Sequence, residues 1–66
     1  MKDNMTKRQK QVLDLILQGY NNRQISNQLY ISLSTVKFHC NNLYKLYGVN
    51  SRFQMFQKAI NNDSRV

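Results

Sequence analysis

Apolar positions recur along this chain in four short clusters at helical spacing, each led by a helix-start signal. Val12, Leu13, Ile16 and Leu17 make the first apolar face. Thr6 with Gln9 has capping-box spacing, which predicts a helix from Lys7 over about 7–18. Gly19 suits the left-handed residue that closes it. Asn21 with Gln24 repeats the start signal, and Ile25 and Leu29 give a short second helix over 22–29 an inward side. Ser26 beside them is small enough for a neighbouring helix to approach. Tyr30 and Ile31 then form a turn, with Ile31 plugging the core.

Ser32 is placed to cap a third helix by accepting from a backbone N–H near Thr35. Val36, Cys40, Leu43 and Tyr47 recur at i, i+4, i+7 and i+11 and make one apolar stripe over 33–47. Lys37, Phe38, Asn41 and Lys45 fall on another face. Gly48 closes this helix and Val49 packs back. Ser51 with Gln54 starts a fourth helix over 52–60, unusually apolar through Phe53, Met55, Phe56, Ala59 and Ile60. Residues 1–5 read as a loose basic lead-in and 61–66 as a polar, frayed end. The pattern predicts a single all-α domain over 1–66, a compact four-helix unit with no repeat or linker. At 66 residues it buries only about 60% of its unfolded surface, too little for a deep catalytic cleft.

Charge sharpens this picture. The net charge is +7, and the only acids are Asp3, Asp14 and Asp63. Arg23, Lys37, Lys45, Arg52 and Lys58 therefore lie in a stretch without a single acidic side chain. Uncompensated positive charge is the footprint of a polyanion binder. Residues 21–47 read as one short helix, a tight turn and a second, basic helix. That is the minimal device for setting a helix in the major groove of DNA.

Other function classes find little support. Cys40 is the only cysteine, so no internal disulfide forms and nothing points to secretion. The N-terminus lacks the apolar core of a signal peptide. The longest mainly apolar run, Val12 to Leu17, is interrupted by Asp14 and far too short to span a bilayer. No helix joins a basic face to a bulky apolar one, which argues against a membrane surface. A cytoplasmic protein is expected, nucleoid-associated when bound. His39 has no metal-ligand partner and no nucleophile, so packing or a phosphate hydrogen bond is its expected role. Cys40 reads as a small core residue. Paired carboxylates, ligand clusters and phosphate loops are all missing, so no enzyme and no cofactor are expected.

The order of these pieces resembles the LuxR/GerE-type helix-turn-helix domain, the DNA-binding module of many bacterial regulators, including response regulators of the NarL type. The residues that carry the resemblance are Thr6 to Leu13, Gly19, Asn22-Arg23-Gln24-Ile25-Ser26 and Leu29-Tyr30-Ile31-Ser32. It continues in Ser34-Thr35-Val36-Lys37-Phe38-His39, Asn42-Leu43, Gly48-Val49 and Ser51-Arg52. The chain departs from the family pattern at Gln9 and Gln11, where glutamates are usual, and at Leu46, where a basic residue is usual. Tyr47 replaces a Leu or Met, and Phe53, Met55 and Phe56 are bulkier than the usual residues there. A sigma-factor region-four domain has a similar helix-turn-helix, but Gly48-Val49 and the apolar fourth helix favour the LuxR/GerE reading. A protein-interaction module that kept the fold and lost DNA is the rival from another class, and Arg23, Lys37 and Lys45 argue against it.

A recognition helix holds its domain with one face and offers the other to DNA. Lys37, Phe38 and Asn41 are the candidate base-reading residues, and the resemblance implies the same three. Lysine donates to guanine N7 and O6, the Asn41 amide pairs with adenine N6 and N7, and Phe38 meets a thymine methyl. Phosphate contacts are expected from Asn22, Arg23, Ser34, Thr35 and Lys45, with Arg8 and Arg52 as weaker candidates. Phe53, Phe56, Gln57 and Ile60 are candidate contacts of a two-fold dimer, as resembling domains form through their fourth helix. Phe56 and Ile60 are equally candidates to complete the core. The expected partners are double-stranded DNA, a second copy of the chain and RNA polymerase, for a regulator either free-standing or part of a longer chain.

Overall fold

In the computed structural model the backbone is described for residues 5–64 and the side chains for 5–61. Four helices follow in order: α1 (Lys7–Leu17), α2 (Asn22–Leu29), α3 (Leu33–Tyr47) and α4 (Arg52–Ser64). Local start signals fix three of the four N-termini as expected. Gln9 N–H donates to Thr6 Oγ1 at 3.1 Å while Thr6 N–H donates to Gln9 Oε1 at 3.0 Å. Asn21 and Gln24 form the same reciprocal pair at 2.8 and 2.9 Å. Ser32 Oγ accepts from Thr35 N–H at 3.1 Å. Each cap satisfies a backbone donor that the helix itself leaves open.

The fourth start differs by one residue. Gln54 N–H reaches Ser51 Oγ at 3.2 Å, but the Gln54 side chain accepts from Asn50 N–H at 3.1 Å. The expected capping box at Ser51 is thus a half-box shifted toward the loop. The ends also refine two expectations. α1 stops at Leu17 with Gln18 as its cap. α4 continues past Ile60 to Ser64, so 61–64 are helical and not frayed. No glycine or proline follows Ile60 to stop the helix. Met5, read as part of a loose lead-in, is partly buried and packs on the core. Residues 1–4 and 65–66 lie outside the described residues.

All three of the first helices end in the same geometry. Tyr20 N–H returns to Leu15 O, Ile31 N–H to Ser26 O and Val49 N–H to Tyr44 O, at 2.9 to 3.1 Å. This closure needs a left-handed residue one position earlier. Gly19 (φ +95°) and Gly48 (φ +68°) supply it for α1 and α3. Tyr30, at φ 57° and ψ 45°, supplies it for α2.

α3 packs against α1, α2 and α4, while α2 and α4 make no close backbone approach to one another. The core is Val12, Leu13 and Ile16 from α1, Ile25 from α2, Val36, Cys40 and Leu43 from α3, and Met55 and Ala59 from α4. Each fully buried side chain of this size contributes about 1.5–3 kcal/mol. Leu17, Leu29, Ile31, Tyr47 and Val49 are only partly buried around it. The fourth helix corrects one expectation. Its buried stripe is Met55 and Ala59; Ile60 is 41% exposed, and Phe56 is half-buried against the core. Ser26 is half-buried, its hydroxyl donating to Arg23 O at 2.8 Å.

Candidate nucleic-acid interface

The core stripe of α3 leaves its opposite face open. Ser34, Lys37, Phe38, Asn41 and Lys45 are all exposed on it, spaced three or four apart along successive turns. The Lys37 and Asn41 side chains make no hydrogen bond within the described chain, so their donors are available to an outside partner. Phe38 is 61% exposed, a costly position for an aromatic ring unless something covers it. Its ring meets His39 edge-on, with centroids 5.7 Å apart and planes 61° apart. His39 is half-buried, and its Nδ1 is enclosed without a hydrogen-bond partner. The histidine ring thus packs beside Phe38. Among the described residues no three His, Cys, Asp or Glu side chains come together as a metal site would require.

Leu33 joins this face without having been anticipated. It lies four residues before Lys37 and eight before Asn41, and is 37% exposed. The sequence signal was there, in the same register that selected Lys37 and Asn41. It was hidden because a leucine at a helix start reads as core.

The candidate phosphate contacts divide into three groups. The Arg23 and Lys45 side chains are exposed, with no hydrogen bond of their own inside the described chain. Lys45 also borders a shallow cavity of about 330 Å³ with Thr6, Gln9, Asn42 and Leu46, beside the start of α1. Ser34 is exposed at the first turn of α3, where the cap leaves its N–H open. The positive end of the helix dipole adds to its attraction for an anion.

Thr35 is more committed than expected. Its N–H is already accepted by Ser32 Oγ, and its hydroxyl lies 2.8 Å from the same oxygen. Asn22 is half-buried, and its carbonyl oxygen accepts from Arg52 Nη1 at 2.9 Å and faces Cys40 Sγ at 3.7 Å. Only its amide nitrogen remains to donate outward. Arg52, a weaker candidate, is committed inside the fold. Its Nη2 donates to Tyr20 O while Nη1 holds Asn22, so the guanidinium ties α4 to the start of α2. Sequence reasoning missed this role because the partners are 30 and 32 positions away.

The same junction sets the chemistry of two acids. Burial pushes the Cys40 thiol above its ordinary value, and the nearby Arg52 charge offsets only part of that. Tyr44 is raised mainly by burial and then by Cys40, again against the pull of Arg52. Cys40 therefore stays a protonated thiol near neutral pH and is a poor nucleophile.

Among the candidate dimer residues, Phe53 is 67% exposed and Ile60 41% exposed, with Gln57 exposed and Phe56 half-buried. They recur at i, i+3, i+4 and i+7 along one side of α4. Among the described residues no helix is long and apolar enough to cross a membrane.

The family model described as bacterial regulatory proteins, luxR family (GerE) matches residues 3–59. The HTH-type transcriptional regulator MalT of Yersinia pestis is 46% identical over 55 residues, covering 83% of this chain and 6% of that protein. The transcriptional regulatory protein DegU of Brevibacillus brevis is 43% identical over 58 residues, covering 88% of this chain and 25% of that protein. Among solved structures, the response regulator ChrA of a heme-sensing two-component system superposes with a TM-score of 0.84 at 30% identity. That match covers 96% of this chain and 31% of ChrA. The chain thus spans between 6% and about a third of the length of these relatives.

Proposed function

This chain belongs to the luxR family of bacterial regulatory proteins, and we propose that it is a sequence-specific reader of double-stranded DNA in transcription regulation. The observation that carries the reading is the open face of α3. Lys37, Phe38 and Asn41 stand exposed on a helix whose other side is locked into the core. Such a helix enters the major groove with its N-terminal half against base edges. Lys37 then donates to guanine, Asn41 to adenine, and Phe38 covers a thymine methyl. Arg23, Lys45, Ser34 and the amide nitrogen of Asn22 hold the flanking phosphates, with Thr35 in a lesser part. These contacts position the domain without reading sequence.

The function is binding rather than catalysis, in the cytoplasm, with RNA polymerase as a further partner at the promoter. A second copy of the chain joins through Phe53, Phe56, Gln57 and Ile60, placing two recognition helices about one DNA turn apart. Sedimentation of wild type and Phe53→Glu, with and without DNA, tests this contact. An identical mass and DNA stoichiometry for both proteins would remove it.

The DNA reading itself is tested by a salt-titrated gel shift against random duplexes and duplexes selected by the protein. Binding to the selected duplex should be micromolar or tighter and should weaken steeply as salt rises. Equal, weak binding to every duplex at physiological salt would sink sequence-specific recognition.

A further inference from the structure

The turn between α2 and α3 carries a side chain that the fold does not use. Tyr30 is the only non-glycine residue at positive φ among the described residues, at φ 57°. The left-handed geometry is needed to close α2, since both Tyr30 N–H and Ile31 N–H return to Ser26 O. Any residue type but proline could supply those backbone groups, and glycine would do so without the steric conflict of a Cβ. α1 and α3 solve the same problem with Gly19 and Gly48.

The ring returns nothing to the fold for that conflict. The Tyr30 side chain is 92% exposed, and its hydroxyl makes no hydrogen bond within the described chain. A strained backbone position with an idle, exposed side chain is the pattern expected where the side chain serves an outside partner.

Its place says which partner. Tyr30 stands two residues ahead of the Ser32 cap, at the end of α3 that approaches base edges in this docking mode. Arg23 on α2 and Lys37 on α3 put exposed positive charge on the two helices that this turn joins. A long side chain leaving that turn meets the sugar–phosphate strand beside the groove. A phenol hydroxyl is a neutral donor of the kind that bonds phosphate oxygens. We propose that Tyr30 is a DNA-backbone contact, its hydroxyl donating to a phosphate and its ring lying along the sugar. This rests on the DNA-binding reading above and adds to it a contact outside the recognition helix.

The test compares wild type, Tyr30→Phe, Tyr30→Gly and Lys37→Ala in salt-titrated gel shifts on selected and random duplexes, with a thermal melt of each protein. Tyr30→Phe should weaken binding about two- to tenfold, equally on both duplexes. Its salt slope should equal that of wild type, because a neutral donor releases no counterion. Tyr30→Gly should lose at least as much affinity while its Tm rises by about 4 °C as the strain is relieved.

Wild-type affinity in both Tyr30 variants, with a loss in Lys37→Ala, would overturn the contact and leave the DNA reading intact. Failure of wild type to bind any duplex would overturn that reading itself. A Tyr30→Phe loss confined to the selected duplex would make Tyr30 a base reader and overturn the backbone role. A fall in Tm for Tyr30→Gly would show that the ring stabilises the fold, and would overturn the premise.

Discussion

The open face of α3 and the junction around Arg52 are built from the same kinds of groups, cations and amides, and use them in opposite ways. On α3, Lys37 and Asn41 are exposed and hold nothing within the described chain. At the junction, Arg52 and Asn22 are half-buried and hold each other at 2.9 Å, with Tyr20 O and Cys40 Sγ on either side. Net charge does not distinguish the two regions, since both contribute to the +7. What distinguishes them is whether the donors are already spent. A cation whose hydrogen bonds are satisfied inside the fold has little left to offer a phosphate, and moving it would expose unpaired groups.

The comparison breaks most visibly at Arg52. Replacing it with alanine leaves Tyr20 O and Asn22 Oδ1 without their charged donor, and removes the only hydrogen-bonded link between α2 and α4 among the described residues. Hydrogen bonds to charged groups contribute about 1.5–3 kcal/mol. Arg52→Ala should therefore destabilise by about 2–3 kcal/mol in a denaturant melt. Arg52→Lys should recover little, because one ammonium does not reproduce a guanidinium fork aimed at two acceptors. A melt unchanged within error would mean that the junction is decorative and that Arg52 is free for DNA after all.

Lys37→Ala should show the reverse profile. The side chain is exposed and unbonded, so the melt should move by less than about 0.5 kcal/mol. DNA affinity should fall by about 1–3 kcal/mol, with relaxed preference at one base position. If instead affinity fell equally on every sequence, and the salt slope dropped by about one, Lys37 would be a phosphate contact. That outcome would leave base reading to Phe38, Asn41 and the unanticipated Leu33.

The contrast also separates what the sequence made legible from what it hid. Helix starts at Thr6, Asn21 and Ser32 were readable because a cap is a contact between residues three apart. The α3 core stripe was readable because Val36, Cys40, Leu43 and Tyr47 repeat on one face, although Leu33, Phe38 and Leu46 are apolar and exposed elsewhere on the helix. α4 was not, since Phe53, Met55, Phe56, Ala59 and Ile60 spread over an apolar arc too broad to name the inward residues. Only packing against α3 and α1 decides that Met55 and Ala59 turn inward. The Arg52 junction was invisible for a different reason. Hydrogen bonds across 30 residues leave no periodic trace, and Ser51-Arg52 looked like a helix start with a spare cation. Tyr30 at positive φ defeats propensity outright, since aromatic residues seldom adopt that region.

The smallest effect expected is an alkaline one, and it sharpens the comparison from the side of the junction. Cys40 and Tyr44 both have folded-state pKa values above their ordinary ones, chiefly through burial. An acid whose pKa is raised on folding contributes stability that is complete below its unfolded value. That stability is then lost as pH climbs through the folded value. The ordinary cysteine value is 9.0 and the tyrosine value 10.0, so these two groups leave stability flat near neutrality and draw it down above pH 9.0. Cys40→Ala removes the first of the two, so its alkaline decline should begin later than that of wild type. Arg52→Ala should change the curve too, because the guanidinium favours the thiolate and phenolate. Without it both folded-state pKa values rise further, so the drawdown still begins near the ordinary values but runs deeper and to higher pH, from a lower plateau. Lys37→Ala, made on the open face, should leave the shape of that curve untouched. Identical alkaline profiles for Arg52→Ala and wild type would mean that the guanidinium does not act on Cys40 and Tyr44, and the junction would then be a purely mechanical tie.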